Sequence, residues 1–189
     1  VTSLLKLNAL KFFNTQKGLI VGNLGTIWQT NDGGANWGLL EVNESYELRD
    51  VDGSSENYVW AVGTIGVLKY SKNGGDTWTT KQLQPFEDMN CISNPIDSVA
   101  YIGVNNGYLY RHSGANIWSL SRFNSKFDIK DIAIVNRLYG YVVGKNESYR
   151  TIDGGTNWLP MLGLWGFDLD AVKFVTRDTG WVAGSKGTG

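Results

Sequence analysis

Four polar side chains, Asp32, Asn73, Ser113 and Asp153, stand at near-even spacing ahead of a tryptophan. Evenly spaced acids raise the chemistry of glycoside hydrolysis, in which two carboxyl groups flank the scissile bond. Glu41, Glu44, Glu87 and Asp168 add carboxylates in the segments between apolar runs. Calcium is the other use for such acids, but its loops supply several oxygen ligands at alternating positions. One aspartate followed by two glycines, as in TNDGGANW and TIDGGTNW, supplies too few. A zinc site of thiolate and imidazole is out of reach with one cysteine, Cys91, and one histidine, His112. A lone cysteine also excludes an intrachain disulfide. Cys91 reads as a small buried hydrophobe, and His112 as a turn residue at the solvent edge. With no P-loop, dinucleotide fingerprint or nucleophile elbow in the chain, no cofactor and no metal are expected.

The acids recur because the chain repeats. Trp37, Trp78, Trp118 and Trp158 follow one another at steps of 41, 40 and 40 residues, closing TNDGGANW, SKNGGDTW, RHSGANIW and TIDGGTNW. A period of about 40 residues is one supersecondary unit that buries its apolar faces only by stacking on copies of itself. Each copy opens on an apolar strand start, at Leu7, Leu48, Met89, Ile129 and Leu169, and continues into a glycine-bounded run such as GLIVG or VWAVG. A third run precedes the tryptophan phrase, and the tryptophan lies in a fourth. Four short strands separated by Gly, Asn and Asp turns, without helical periodicity, predict one antiparallel blade. Radial blades make a β-propeller. The fold class is therefore all-β, with blades over about 4–44, 45–85, 86–125 and 126–165 and a partial fifth over 166–189. Residues 1–189 form a single propeller domain on this reading. The fifth copy stops after its second strand, so the chain is expected to be part of a propeller of about six to eight blades.

Within the phrase, the aspartate accepts hydrogen bonds from the amides that follow, the glycines relax the turn, and the tryptophan packs back across the blade. Asp32, Gly34, Trp37, Gly75, Trp78, Trp118, Asp153, Gly155 and Trp158 are assigned these structural roles, with Asn73 and Ser113 as weaker substitutes for the acid.

The phrase is similar to the BNR or Asp-box repeat, S/T-x-D-x-G-x-x-W. The longer string LNALKFFNTQKGLIVGNLGTIWQTNDGGANW resembles the repeat of photosystem II stability/assembly factor-like propellers. That resemblance implies that the boxes lie on the face away from the ligand site and are structural rather than catalytic. It also implies that the binding face is built from segments 39–47, 80–88, 120–128 and 160–168, together with the turns near 23–25, 64–66, 104–107 and 145–148. Trp165, an aromatic at no repeat position, falls there and is a candidate contact. Asn8, Arg49, Asn90, Lys130 and Asp170, each one position into a first strand, would ring the channel mouth. Arg49, Lys130 and Arg122 could make a basic spot for an acidic or carboxylate-bearing partner segment.

A net charge of −1, from 17 basic and 18 acidic residues, gives no footprint for nucleic acid. No apolar stretch is long enough to span a membrane. Two glycosylation sequons, at Asn43 and Asn146, are within chance for so asparagine-rich a chain. Asp-box sialidases carry an arginine cluster with an Arg-Ile-Pro-like string, which is absent. The expected function is a non-enzymatic scaffold that docks another protein or peptide segment. The resemblance adds a role in assembling or stabilising a larger complex in an exported compartment. The alternative is a carbohydrate-binding or glycosidase-related propeller fragment of a secreted surface protein.

Overall fold

The glycine-bounded runs become second strands that are buried along nearly their whole length, which is why they read as continuous rather than alternating apolar sequence. The computed structural model describes residues 5–42, 45–96, 99–114 and 117–186. Asn43 and Glu44 lie outside the described residues. Strands β1 (Leu7–Phe12), β2 (Gly18–Gly22), β3 (Ile27–Thr30) and β4 (Gly38–Glu41) form the first sheet. The second holds β5 (Leu48–Gly53), β6 (Val59–Gly63), β7 (Val67–Ser71) and β8 (Thr79–Gln82). The third holds β9 (Met89–Ile96), β10 (Val99–Val104), β11 (Tyr108–His112) and β12 (Trp118–Arg122). The fourth holds β13 (Ile129–Ile134), β14 (Gly140–Gly144), β15 (Ser148–Thr151) and β16 (Leu159–Pro160). A two-stranded sheet of β17 (Phe167–Phe174) and β18 (Gly180–Lys186) follows. Every sheet has its strands in chain order, the pattern of propeller blades: four complete and one of two strands.

Two compact units divide the chain, Val1–Met89 and Asn90–Gly189. In the first, Leu19, Val21 and Ile27 of one blade form a single cluster with Leu48, Val51, Val59, Ala61 and Val67 of the next. In the second, Tyr101, Leu109 and Cys91 cluster with Ile129, Ile132 and Val142, and Ala133, Tyr141 and Val143 with Leu169 and Val172. The stacking is specific in its polar bonds as well. Tyr101 donates to the carbonyl of Gly154 at 2.7 Å, and Asp131 accepts the amide of Val172 at 2.7 Å. Tyr141 stacks on Phe174 with centroids 3.5 Å apart and donates to the Arg177 carbonyl.

A cation sits inside the first unit. Lys69, only 2% exposed, reaches Glu41 Oε1 at 2.5 Å, Thr80 Oγ1 at 2.9 Å and the Tyr46 hydroxyl at 3.1 Å. Burying an ammonium is tolerated only with such a set of partners. At the equivalent step of the third strand the other blades carry Trp28, Tyr110 and Tyr149.

His112 corrects the sequence reading. It is buried against Trp118, with ring centroids 4.9 Å apart, and ends β11 rather than lying in a solvent-edge turn. The register explains this: His112 pairs with Ala100, as Thr30 pairs with Gly18, Ser71 with Val59 and Thr151 with Gly140. The third turn is thus one residue shorter, and His112 occupies the place of the box threonine. Cys91 is buried in β9.

Candidate functional site

The boxes consume their own polar groups. Thr30 Oγ1 accepts the amide of Gly34 at 2.9 Å and donates to Asp32 Oδ1 at 2.8 Å, and that same carboxylate oxygen accepts the amide of Asn36 at 2.9 Å. The Asn36 side chain donates to the other oxygen at 2.8 Å. Thr151, Asp153, Gly155 and Asn157 repeat these four bonds. Ser71, Asn73, Gly75 and Thr77 repeat three of the bonds with neutral groups, and in the fourth the direction reverses, Asn73 Nδ2 donating to Thr77 Oγ1 at 3.0 Å. A carboxylate so engaged is a turn component rather than an acid or base in waiting. The amide of Asn36, then its side chain and Thr30, hold Asp32 down at about 2, and the amide of Asn157 lowers Asp153 likewise. Both groups therefore stabilise the fold fully above the unfolded value near 4, and that contribution is lost as pH falls through the folded value. The melting temperature should drop between about pH 4 and pH 2, and Asp32→Asn should remove part of the drop; an equal drop in the variant would disprove the assignment.

Among the loop acids, Glu41 is taken up by Lys69, and one Asp168 oxygen is buried. No group of three or more His, Cys, Asp or Glu side chains that could hold a metal exists among the described residues.

The side chains expected at the channel mouth share a backbone cause. In β1, β5, β13 and β17 the register slips by one residue after the opening position, between Leu7 and Ala9, Leu48 and Asp50, Ile129 and Asp131, and Leu169 and Ala171. The residue skipped is Asn8, Arg49, Lys130 or Asp170, and such bulges re-aim a side chain out of the pleat. The uses then diverge. Asn8 donates to the Leu48 carbonyl at 2.7 Å and Asn90 to that of Ile129 at 2.8 Å, tying neighbouring first strands together. Arg49 bonds Asp88 at 2.8 Å and lies 3.9 Å from Glu47. Lys130 and Asp170 are exposed.

Arg122 and Trp165 meet around one tyrosine. A concavity of about 240 Å³ is lined by Ser121, Arg122, Phe123 and Asn124 from the end of β12, Tyr149 from β15, and Thr156, Asn157 and Trp158 from the fourth box. Phe123 packs on Tyr149 with centroids 4.5 Å apart and on Trp158 at 5.9 Å, and exposed Trp165 meets Tyr149 edge-on at 6.5 Å. The Arg122 guanidinium lies 4.9 Å over the Tyr108 ring, which orients it without neutralising it. The Trp158 indole N–H is buried without an acceptor among the described residues. Beside the concavity, Glu147 Oε2 accepts both the Tyr149 hydroxyl at 2.7 Å and the Ser125 hydroxyl at 2.5 Å. Burial first, and that bond second, push Tyr149 up to about 12, so it remains a neutral phenol. An aromatic wall with a fixed guanidinium suits a carboxylate-bearing peptide that also presents an apolar side chain.

The sequence singles out Arg122 and Trp165 as candidates; nothing in it singles out Phe123, Tyr149 or the Trp158 N–H. Tyr149 holds a repeat position four residues before Asp153, which reads as blade packing. Only the juxtaposition of β12 with β15 makes it a wall.

The sequence profile described as photosynthesis system II assembly factor YCF48 matches residues 3–113. The photosystem II assembly lipoprotein Ycf48 of Synechococcus sp. (strain CC9902) is 27% identical over 162 residues, which cover 79% of this chain and 47% of that protein. The chain thus spans about half the length of this curated relative. Among solved structures, YCF48 bound to D1 peptide has a TM-score of 0.76 at 20% identity, covering 97% of this chain and 62% of that one. An ancestral GH74 enzyme has a TM-score of 0.68 at 16% identity, covering 84% of this chain and 26% of that one. At these identities the structural likenesses establish the propeller fold alone. The profile match, which takes in more than half of the 189 residues, establishes that the chain belongs to the photosynthesis system II assembly factor YCF48 family.

Proposed function

We propose that the chain is a non-enzymatic propeller that docks a segment of another protein during assembly or stabilisation of a larger complex, with the concavity around Tyr149 as its seat. The observation that carries this reading is the oriented Arg122 guanidinium beside the wall of Phe123, Tyr149 and Trp158. A solved relative holds a D1 peptide, so a D1-type segment is the first partner to try. Exported localisation follows the relative described as a lipoprotein. No helix among the described residues is long and apolar enough to cross a membrane.

The domain is read as part of a longer propeller. Leu7 and Leu10 are 52% and 57% exposed, whereas Leu48, Val51, Met89, Ile92, Ile129, Ile132, Leu169 and Val172 at the same repeat steps are all buried. Trp181 is 63% exposed where Leu19, Trp60, Tyr101 and Tyr141 are buried. A neighbouring blade on each of these faces would bring them into line with the rest.

Overlapping synthetic D1 peptides, each as free acid and as amide, titrated calorimetrically onto the protein test the function. A subset should bind, and Arg122→Ala should weaken it about tenfold, more for a free acid than for its amide. Binding unaffected by Arg122→Ala and Trp165→Ala together would move the site elsewhere. The glycan reading draws on the aromatic wall and the GH74 likeness. It requires binding of xyloglucan oligosaccharides, for which Glu147, already accepting two hydroxyls, is poorly placed to act as a catalytic acid.

A further inference from the structure

The geometry points to a second docking point, on the second blade at Ile65 and Phe86, for a protein segment that presents an apolar side chain beside a lysine or arginine. It rests on the reading of the chain as a protein-interaction propeller but makes no use of the Tyr149 concavity.

In every complete blade the turn between second and third strands places one residue in the left-handed region: Leu24 at φ 51°, Ile65 at 52°, Asn106 at 59° and Asn146 at 64°. Asparagine tolerates that conformation; a β-branched side chain there is an outlier. Ile65 is 44% exposed, so its strain is not offset by burial in the core. Phe86, at φ 67° and 50% exposed, has the same pair of properties. Strain kept at an exposed apolar residue, with nothing gained in folding, marks a position retained for contact.

The two residues share a stiff seat. Leu83 N–H donates to the Gly66 carbonyl at 2.9 Å and Phe86 N–H to the Leu83 carbonyl at 3.0 Å, so the turn and the following connection are bonded together. Asp88 clamps both sides, accepting the Ile65 amide at 3.0 Å and Arg49 at 2.8 Å. Pre-organised apolar groups bind with little ordering cost. The surrounding charge selects the partner. Glu47 and Asp88 take up the nearby cations within 4 Å, Arg49 by Asp88 and Glu47 and Lys6 by Glu47, and Glu87, next to Phe86 in the chain, adds a further carboxylate. The surplus is negative, which favours a basic neighbour to the incoming apolar side chain.

Two synthetic peptides test this, acetyl-Gly-Ser-Leu-Lys-Ser-Gly-amide and its Lys→Glu counterpart, titrated into the ¹⁵N-labelled chain and followed by amide shifts. The lysine peptide should move the amides of 64–66 and 86–88 and saturate at about tenfold lower concentration than the glutamate peptide. Ile65→Asn should weaken it about tenfold while raising the melting temperature by about 2 °C. Phe86→Asn should weaken binding likewise. Shifts confined elsewhere, no preference between the peptides, or unchanged binding by Ile65→Asn would each overturn the docking point, and a lowered melting temperature would remove the strain on which it stands. Failure of the D1 peptides at Arg122 would be a separate result, read from other amides.

Discussion

Alanine in place of Gly63 should destabilise the first unit by about 4 kcal/mol, among the largest effects available from a single methyl group. The Cβ would lie 1.8 Å from the Glu47 carbonyl oxygen and 2.8 Å from its carbon. Neither atom can give way, because the carbonyl accepts the Thr64 amide at 2.9 Å and the Glu47 amide donates to Thr64 Oγ1 at 3.0 Å. Backbone conformation is not the reason, since φ at Gly63 is −169°, which any residue adopts. The absence of a side chain is what lets the chain entering the first strand cross the end of the second. The same crossing recurs at Gly22, Gly144 and Gly184, where a Cβ would stand 2.2, 2.1 and 2.1 Å from a carbonyl oxygen. Urea unfolding followed by tryptophan fluorescence measures the loss, with Gly163→Ala as control, since a Cβ there meets nothing within 4 Å. That control should stay within about 0.5 kcal/mol of the parent. A Gly63→Ala loss below about 1 kcal/mol would show that the crossing relaxes easily.

Glu41→Ala should cost about 3 kcal/mol, and Lys69→Met only about 1 kcal/mol, although they break the same bond. The asymmetry follows from exposure. Removing the carboxylate strands an ammonium that is 2% exposed with only the hydroxyls of Tyr46 and Thr80 for company. Removing the ammonium leaves a carboxylate that is 28% exposed and can recover water, while methionine fills the apolar part of the lysine's volume. The double variant should therefore be about as stable as Lys69→Met alone, a coupling of about 3 kcal/mol. Equal costs for the two single variants, or additive costs in the double, would mean that Lys69 escapes to solvent when its partner is lost.

Strand order was legible because a repeat prints its strand starts, glycines and tryptophan at fixed steps, and short-range turn chemistry reads directly from residue type. His112 was misread for the same reason: aligning the phrases on Trp118 conceals a turn one residue shorter, which only the pairing of His112 with Ala100 exposes. Contacts between copies were beyond reach. Arg49 looked like a free cation until Asp88, on the connection to the third blade, was seen beside it. Tyr149 and Phe123 lie 26 positions apart and carry no mark of their pairing. Lys69, in an otherwise aromatic strand step, was an internal contact with a visible cue, a charge where the other copies have Trp28, Tyr110 and Tyr149.

The boxes close on themselves within four residues of sequence, since the bonds that Asp32 and Asp153 accept from their own turn come from groups no more than four positions away. Such a turn can form on the timescale of loop closure, before a later repeat has left the ribosome, whereas the clusters that join one blade to the next span a full period. Folding is thereby divided into a fast local step, written separately into each copy, and a slower docking step shared between copies. Duplication of a repeat delivers a segment that already contains its own nucleus, so a propeller of this kind can lengthen in evolution without relearning how to fold.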